Sequence, residues 1–119
     1  MNLKYESLVN EVGPQAADFW SEQMLVLFGS EAPPELRPFC FIIDRNNVKE
    51  TIVEGDTLLI DEEAFSVVAV GNAVNKNLND LAHITLNFKG EVDGDMAGTL
   101  YLEEKEIPNI TVGTTLKIV

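Results

Sequence analysis

The sequence predicts an all-β protein with two short helices, folded as a duplicated, pseudo-two-fold β-barrel that is closed or partly open. Three observations carry this expectation. Apolar runs are short and rich in Val, Ile, Leu and Thr, a composition that suits strands. Gly, Pro and Asp clusters separate them and supply the turns. The chain also repeats itself: Ile52–Ile60 resembles Ile110–Ile118 at an offset of 58 residues, and Val12-Gly13 matches Val70-Gly71 at the same offset. Two copies of so long a period suggest a duplicated barrel rather than a solenoid, which needs more repeats. Convergent strand-turn-strand composition is the alternative explanation.

In chain order, Leu3–Val12 reads as a strand ended by Gly13-Pro14. Gln15–Gln23 is weakly helical and leads into a strand at Met24–Phe28. Pro33-Pro34 breaks the chain before the strand Phe39–Asp44, and Glu54-Gly55-Asp56 turns it into Thr57–Asp61. The second half begins with Phe65–Val70, followed by the weakly helical Ala73–Leu81 and the strand His83–Phe88. A turn at Asp93-Gly94-Asp95 precedes Gly98–Glu103, and Gly113 introduces the last strand, Thr114–Val119. Gln23–Phe28 loosely matches His83–Phe88 at an offset of 60.

With 119 residues and a hydrophobic fraction of 45%, the chain can bury a core of its own. One domain over residues 1–119 is expected, with internal halves 1–60 and 61–119. Twenty acidic against eight basic side chains give a net charge of -12. Such a surface repels nucleic-acid phosphates and anionic membranes. It would steer a basic protein partner inward, although acidity also serves solubility alone. The start lacks the basic and apolar regions of a signal peptide. No apolar run approaches the roughly 18 residues of a membrane span. A cytoplasmic protein without membrane insertion or nucleic-acid binding is expected.

His83 is the single histidine, so imidazole chemistry near neutral pH must use it or do without. It shares a polar strand face with Thr85, Asn87 and Lys89, while Ala82, Ile84, Leu86 and Phe88 form the core face. His83 is thus a phosphoryl acceptor or hydrogen-bonding site residue, or else a surface histidine paired with a carboxylate. Cys40, the only cysteine, sits in an apolar run, where a thiol stays protonated and inert. The acidic runs Asp61-Glu62-Glu63 and Glu103-Glu104, with Glu106, read as solvated strand ends. Ser21 and Ser66 carry no nucleophile-elbow pattern. Phe19 and Trp20 are expected to pack a helix on the barrel. No metal site, cofactor or glycine-rich phosphate loop is predicted.

Several segments resemble the glucitol/sorbitol-specific enzyme IIA component of the bacterial phosphotransferase system. They include Gln23-Met24-Leu25, Phe28 with Ala32-Pro33 and Leu36, Cys40-Phe41-Ile42, Ala69-Val70-Gly71, and Asn77-Leu78. The likeness continues through His83-Ile84-Thr85-Leu86, Gly98-Thr99, Ile107-Pro108 and Gly113 with Leu116-Lys117. It implies a cytoplasmic phosphocarrier that relays phosphoryl groups from HPr to the IIB part of a IIB/IIC sugar permease, without a cofactor. In that family the phosphorylated histidine directly follows the Cys-Phe-Ile stretch; here that position is Ile43, which has no lone pair. His83 matches a second family histidine and is either a substitute acceptor or a pocket residue. Arg45, beyond Asp44, is placed to contact a phosphate or an acidic partner, or belongs to a plain polar turn. The alternative function is a catalytically inactive paralogue that binds or regulates partners in sugar uptake, a transcription regulator among them.

Overall fold

The computed structural model describes residues 2–92 and 96–119. Among these residues eight strands form one closed barrel. They are β1 (Tyr5–Val12), β2 (Met24–Phe28), β3 (Phe41–Ile43), β4 (Thr57–Ile60), β5 (Glu63–Val70), β6 (Ile84–Asn87), β7 (Thr99–Leu102) and β8 (Thr115–Ile118). A 3-10 helix, Ala16–Glu22, joins β1 to β2, and α1 (Val74–Leu81) joins β5 to β6. All eight strands and both helical stretches were predicted. The turn expected at Asp93-Gly94-Asp95 lies outside the described residues. A further 3-10 turn, Arg37–Phe39, takes Phe39 out of the predicted strand, because Pro38 cannot donate to a ladder.

Around the barrel the order is β1-β3-β2-β6-β7-β5-β4-β8. Exchanging each strand for its counterpart in the other half returns the same ring read backwards. Pairing agrees: β2–β3 and β6–β7 are parallel, and the remaining pairs are antiparallel. The irregularity between Val9 and Glu11 in β1 recurs between Val67 and Ala69 in β5. Gly55 and Gly113 take φ of +95° and +94° at matching turns, a backbone that glycine adopts without a Cβ penalty. The duplicated, pseudo-two-fold barrel is therefore present. The match between β2 and β6 shifts by one residue from the expected offset. Gln23 and Ala82, 59 apart, both end their helices in the left-handed conformation. This places Leu25 with Ile84 and Leu27 with Leu86, all four buried; an offset of 60 would exchange the two faces of the strand.

Inward side chains fill the barrel, among them Val9, Leu25, Phe41, Ile43, Phe65, Leu86 and Leu102. Trp20 packs against this core as expected. A second, smaller cluster lies on the outer wall: Phe28, Ala32, Cys40 and Ile42, with Val26 against it. Strand β3 is buried on both faces, which explains the unbroken apolar run at Phe39–Ile43. No helix among the described residues is long and apolar enough to cross a membrane.

Candidate functional site

The outer cluster borders a groove of about 460 Å³ lined by Phe19, Val26, Phe28, Leu36, Phe39, Cys40, His83 and Thr85. Its floor is the antiparallel β2–β6 pair, in which Val26 lies opposite Thr85. Phe39 and Leu36 come from the segment before β3. Phe19 leaves the 3-10 helix to meet Phe39, with ring centroids 6.3 Å apart. Phe19 thus builds the groove, while its neighbour Trp20 packs on the barrel core.

The end of α1 fixes His83. Ala82 closes the helix with φ +54°, and the His83 N–H donates to the Asn77 carbonyl at 3.2 Å. This is the wrapped helix end in which a left-handed residue lets the chain turn outward. Gly29 allows the close approach: a Cβ there would sit 2.8 Å from the Leu81 oxygen and 3.2 Å from the Ala82 Cβ. Beyond the cap the His83 ring stacks on Phe28, with centroids 4.1 Å apart and planes at 23°. Its Nδ1 lies 3.1 Å from the Leu27 carbonyl oxygen. A carbonyl only accepts, so Nδ1 carries the hydrogen in the neutral ring and the lone pair is on Nε2. Among the described residues Nε2 has no hydrogen-bond partner. The expected carboxylate partner is replaced by a backbone oxygen from β2.

Ile43 is elsewhere. It is 1% exposed within the barrel core, while its neighbour Ile42 belongs to the outer cluster. Ile42 pairs with Phe28, and Phe28 carries the His83 ring. Ile43 and His83 therefore lie on opposite faces of the barrel wall, with β2 between their strands. Asp44 is tied into the wall: its backbone oxygen accepts from Ser7 Oγ at 2.7 Å and its side chain from Asn10. Arg45 does not line the groove; it is exposed and pairs with Glu31 at 3.5 Å. Arg37 forks onto Glu11 with two contacts of 3.1 Å and donates to the Ser30 oxygen. That fork holds the Glu11 carboxyl below its usual range.

Cys40 is buried, with its thiol donating to the Leu36 oxygen at 3.2 Å, and burial pushes its pKa up. Two acidic residues expected to be merely solvated are structural ties. Asp61 accepts from the Thr115 N–H and hydroxyl, and Glu103 accepts from the Ser66 N–H. Among the described residues no three His, Cys, Asp or Glu side chains are grouped to hold a metal ion. The groove itself escaped sequence reasoning. Its one signal was the apolar run Phe39–Ile43, which requires a cover on both strand faces.

Comparisons with known proteins agree with this architecture. Residues 4–117 match the family described as PTS system glucitol/sorbitol-specific IIA component. The glucitol/sorbitol-specific EIIA components of Shigella flexneri and of Escherichia coli K12 are each 31% identical over 117 residues, covering 98% of this chain and 95% of theirs. The crystal structure of a PTS system IIA component from Enterococcus faecalis V583 superimposes with a TM-score of 0.85 at 34% identity, covering 94% of this chain and 97% of that one. Match, coverage and shared barrel lead to one conclusion: the chain belongs to the family of PTS system glucitol/sorbitol-specific IIA components.

Proposed function

We propose that this chain is a cytoplasmic IIA-type phosphoryl carrier of a glucitol/sorbitol phosphotransferase system, and that His83 Nε2 is the atom that takes the phosphoryl group. The observation that carries this is the Leu27 carbonyl on Nδ1, which leaves the lone pair on the ring nitrogen with no partner. In the transfer, the phosphorus–nitrogen bond of the donor's phosphohistidine breaks as the His83 Nε2–phosphorus bond forms, and the donor imidazole recovers its electron pair. Handing the group to a IIB domain runs the same exchange onward. The protein's task is mainly alignment.

The groove suits an HPr-like donor. Its floor is apolar, and the exposed carboxylates of Asp18 and Glu35 adjoin Phe19 and Leu36. A donor presenting an apolar side chain among Lys or Arg would match both. Arg37 is held by Glu11 and Arg45 does not line the groove, so cationic help inside the groove comes from the donor. Arg45 is a secondary contact: an exposed pair such as Arg45–Glu31 is worth little, so the guanidinium can leave Glu31 for a phosphate or an acidic partner.

Incubation with phosphoenolpyruvate, enzyme I and HPr tests the assignment. Acid-labile phosphate should appear on the wild type and vanish in His83→Ala without unfolding. An unlabelled wild type, beside a family member that labels in the same assay, would sink the carrier function. One observation favours a second reading, a partner-binding paralogue without phosphotransfer: Ile43, at the position that the resemblance assigns to the relay, is sealed in the core. It predicts micromolar binding of HPr, a IIB domain or a regulator with no label.

A further inference from the structure

The groove holds few polar side-chain atoms. Cys40 Sγ is occupied by the Leu36 oxygen and, with its pKa raised, remains a weak neutral donor. His83 Nε2 is the nucleophile assigned above. The third is the Thr85 hydroxyl. Thr85, in β6, stands two residues after His83, which directly precedes that strand, and both line the groove. Val26, directly opposite on β2, is aliphatic and offers no partner. Among the described residues the Thr85 hydroxyl makes no hydrogen bond, whereas its backbone is pinned by the Thr85 N–H to the Gly98 oxygen at 3.1 Å and by pairing with Thr99.

We infer that Thr85 is the positioning residue for the phosphoryl group: its hydroxyl donates a hydrogen bond to a phosphoryl oxygen carried on His83 Nε2. This rests on His83 as acceptor and goes beyond it. Phosphoryl oxygens in a mostly apolar groove need donors, because charged oxygen without partners is costly to desolvate. A hydroxyl on an anionic oxygen is a charge-assisted bond, stronger than a neutral one. Thr85 is also held rigidly by strands on both sides, as a positioning group must be. It favours the transferring group as charge develops and orients it for hand-over.

Two variants and two phosphoryl donors test the inference. Thr85→Val keeps the shape and removes the hydroxyl; Thr85→Ser keeps the hydroxyl and removes the methyl. Each is labelled through phosphoenolpyruvate, enzyme I and HPr, and separately with potassium phosphoramidate, a small donor that needs no docking surface. Thr85→Val should label about 10- to 100-fold more slowly with both donors, while its urea midpoint stays near that of the wild type. Thr85→Ser should recover most of the rate. In the phosphorylated protein, the phosphorus-31 titration of the phosphoryl group should move to higher pH in Thr85→Val, because a donor to the dianion is lost, and return in Thr85→Ser. Equal rates and titrations in wild type and Thr85→Val would overturn the inference. So would a Thr85→Ser as slow as Thr85→Val, which would make the residue's branched shape the relevant property. A wild type that neither donor labels on His83 would instead overturn the acceptor assignment and take this inference with it.

Discussion

Replacing Ile43 with histidine restores the residue type that the family likeness places there, and stability is the measurement that tests where this side chain points. Ile43 is 1% exposed and faces Val9 across the β1–β3 ladder inside the core. Losing a fully buried isoleucine forfeits about 1.5–3 kcal/mol of apolar burial. An imidazole left there without partners adds about 1–3 kcal/mol. Ile43→His should therefore cost about 3–5 kcal/mol, a large share of the roughly 5–15 kcal/mol that holds a domain folded. At about 2 cal/mol/K of unfolding entropy per residue, a chain of 119 residues loses about 4 °C of midpoint per kcal/mol, hence about 12–20 °C in all. The introduced ring would be kept neutral, with its folded pKa depressed. The unfolded chain then binds the extra proton, and the deficit grows as pH falls below about 6.5. Urea unfolding at pH 8 and pH 5.5, beside the wild type, measures both effects. A loss under about 1 kcal/mol with no added pH dependence would refute the inward orientation and put position 43 within reach of water. If the loss is as large as calculated, Ile43→His should not gain phosphate acceptance, because its ring lies behind the wall from the groove.

Other substitutions probe the same frame. His83→Gln should abolish labelling while costing about 1–3 kcal/mol from the lost Phe28 stack and Leu27 hydrogen bond; a much larger stability loss would make the ring structural first. Gly13→Ala and Gly71→Ala would each drive a Cβ into a carbonyl oxygen, of Pro38 and Ala97 respectively, and should cost about 2 kcal/mol or more. Gly55→Ala meets open space and should cost about 1 kcal/mol from its positive φ alone; parity of all three in urea titrations would contradict the turn geometry. Burial raises the pKa of both Cys40 and Tyr5. Their stabilisation is complete below the ordinary thiol range and is lost as pH rises through about 9 to 10, since the unfolded chain ionises first. Cys40 should therefore resist Ellman's reagent until urea unfolds the chain, and Cys40→Ala should reduce the alkaline fall in the urea midpoint.

The barrel was legible because strand alternation is written residue by residue. In β1 the buried residues are Tyr5, Ser7 and Val9, and those between them are exposed. The repeat was legible through its glycines, which recur where the backbone leaves an L residue no room or demands a positive φ. The groove was not legible, since it draws on residues from 19 to 85 whose types are each ordinary. His83 was visible as a candidate. What fixes its ring was not: the hydrogen-bond acceptor is a main-chain oxygen 56 residues earlier, and every residue carries such an oxygen. The inward orientation of Ile43 follows from register, which an apolar run without alternation does not reveal.

The ring order carries a consequence for how such a chain arose and how it can be cut. Strand β4 pairs with β5 and β8, and β8 pairs with β4 and β1, so each half lends its last strand to the other. A half-length ancestor could have closed the same barrel only as a homodimer with exchanged arms. Fragments severed between β4 and β5 would each expose unpaired edges, and their remedy is each other. Co-expressed, they should reassemble; alone, each should aggregate or remain unfolded.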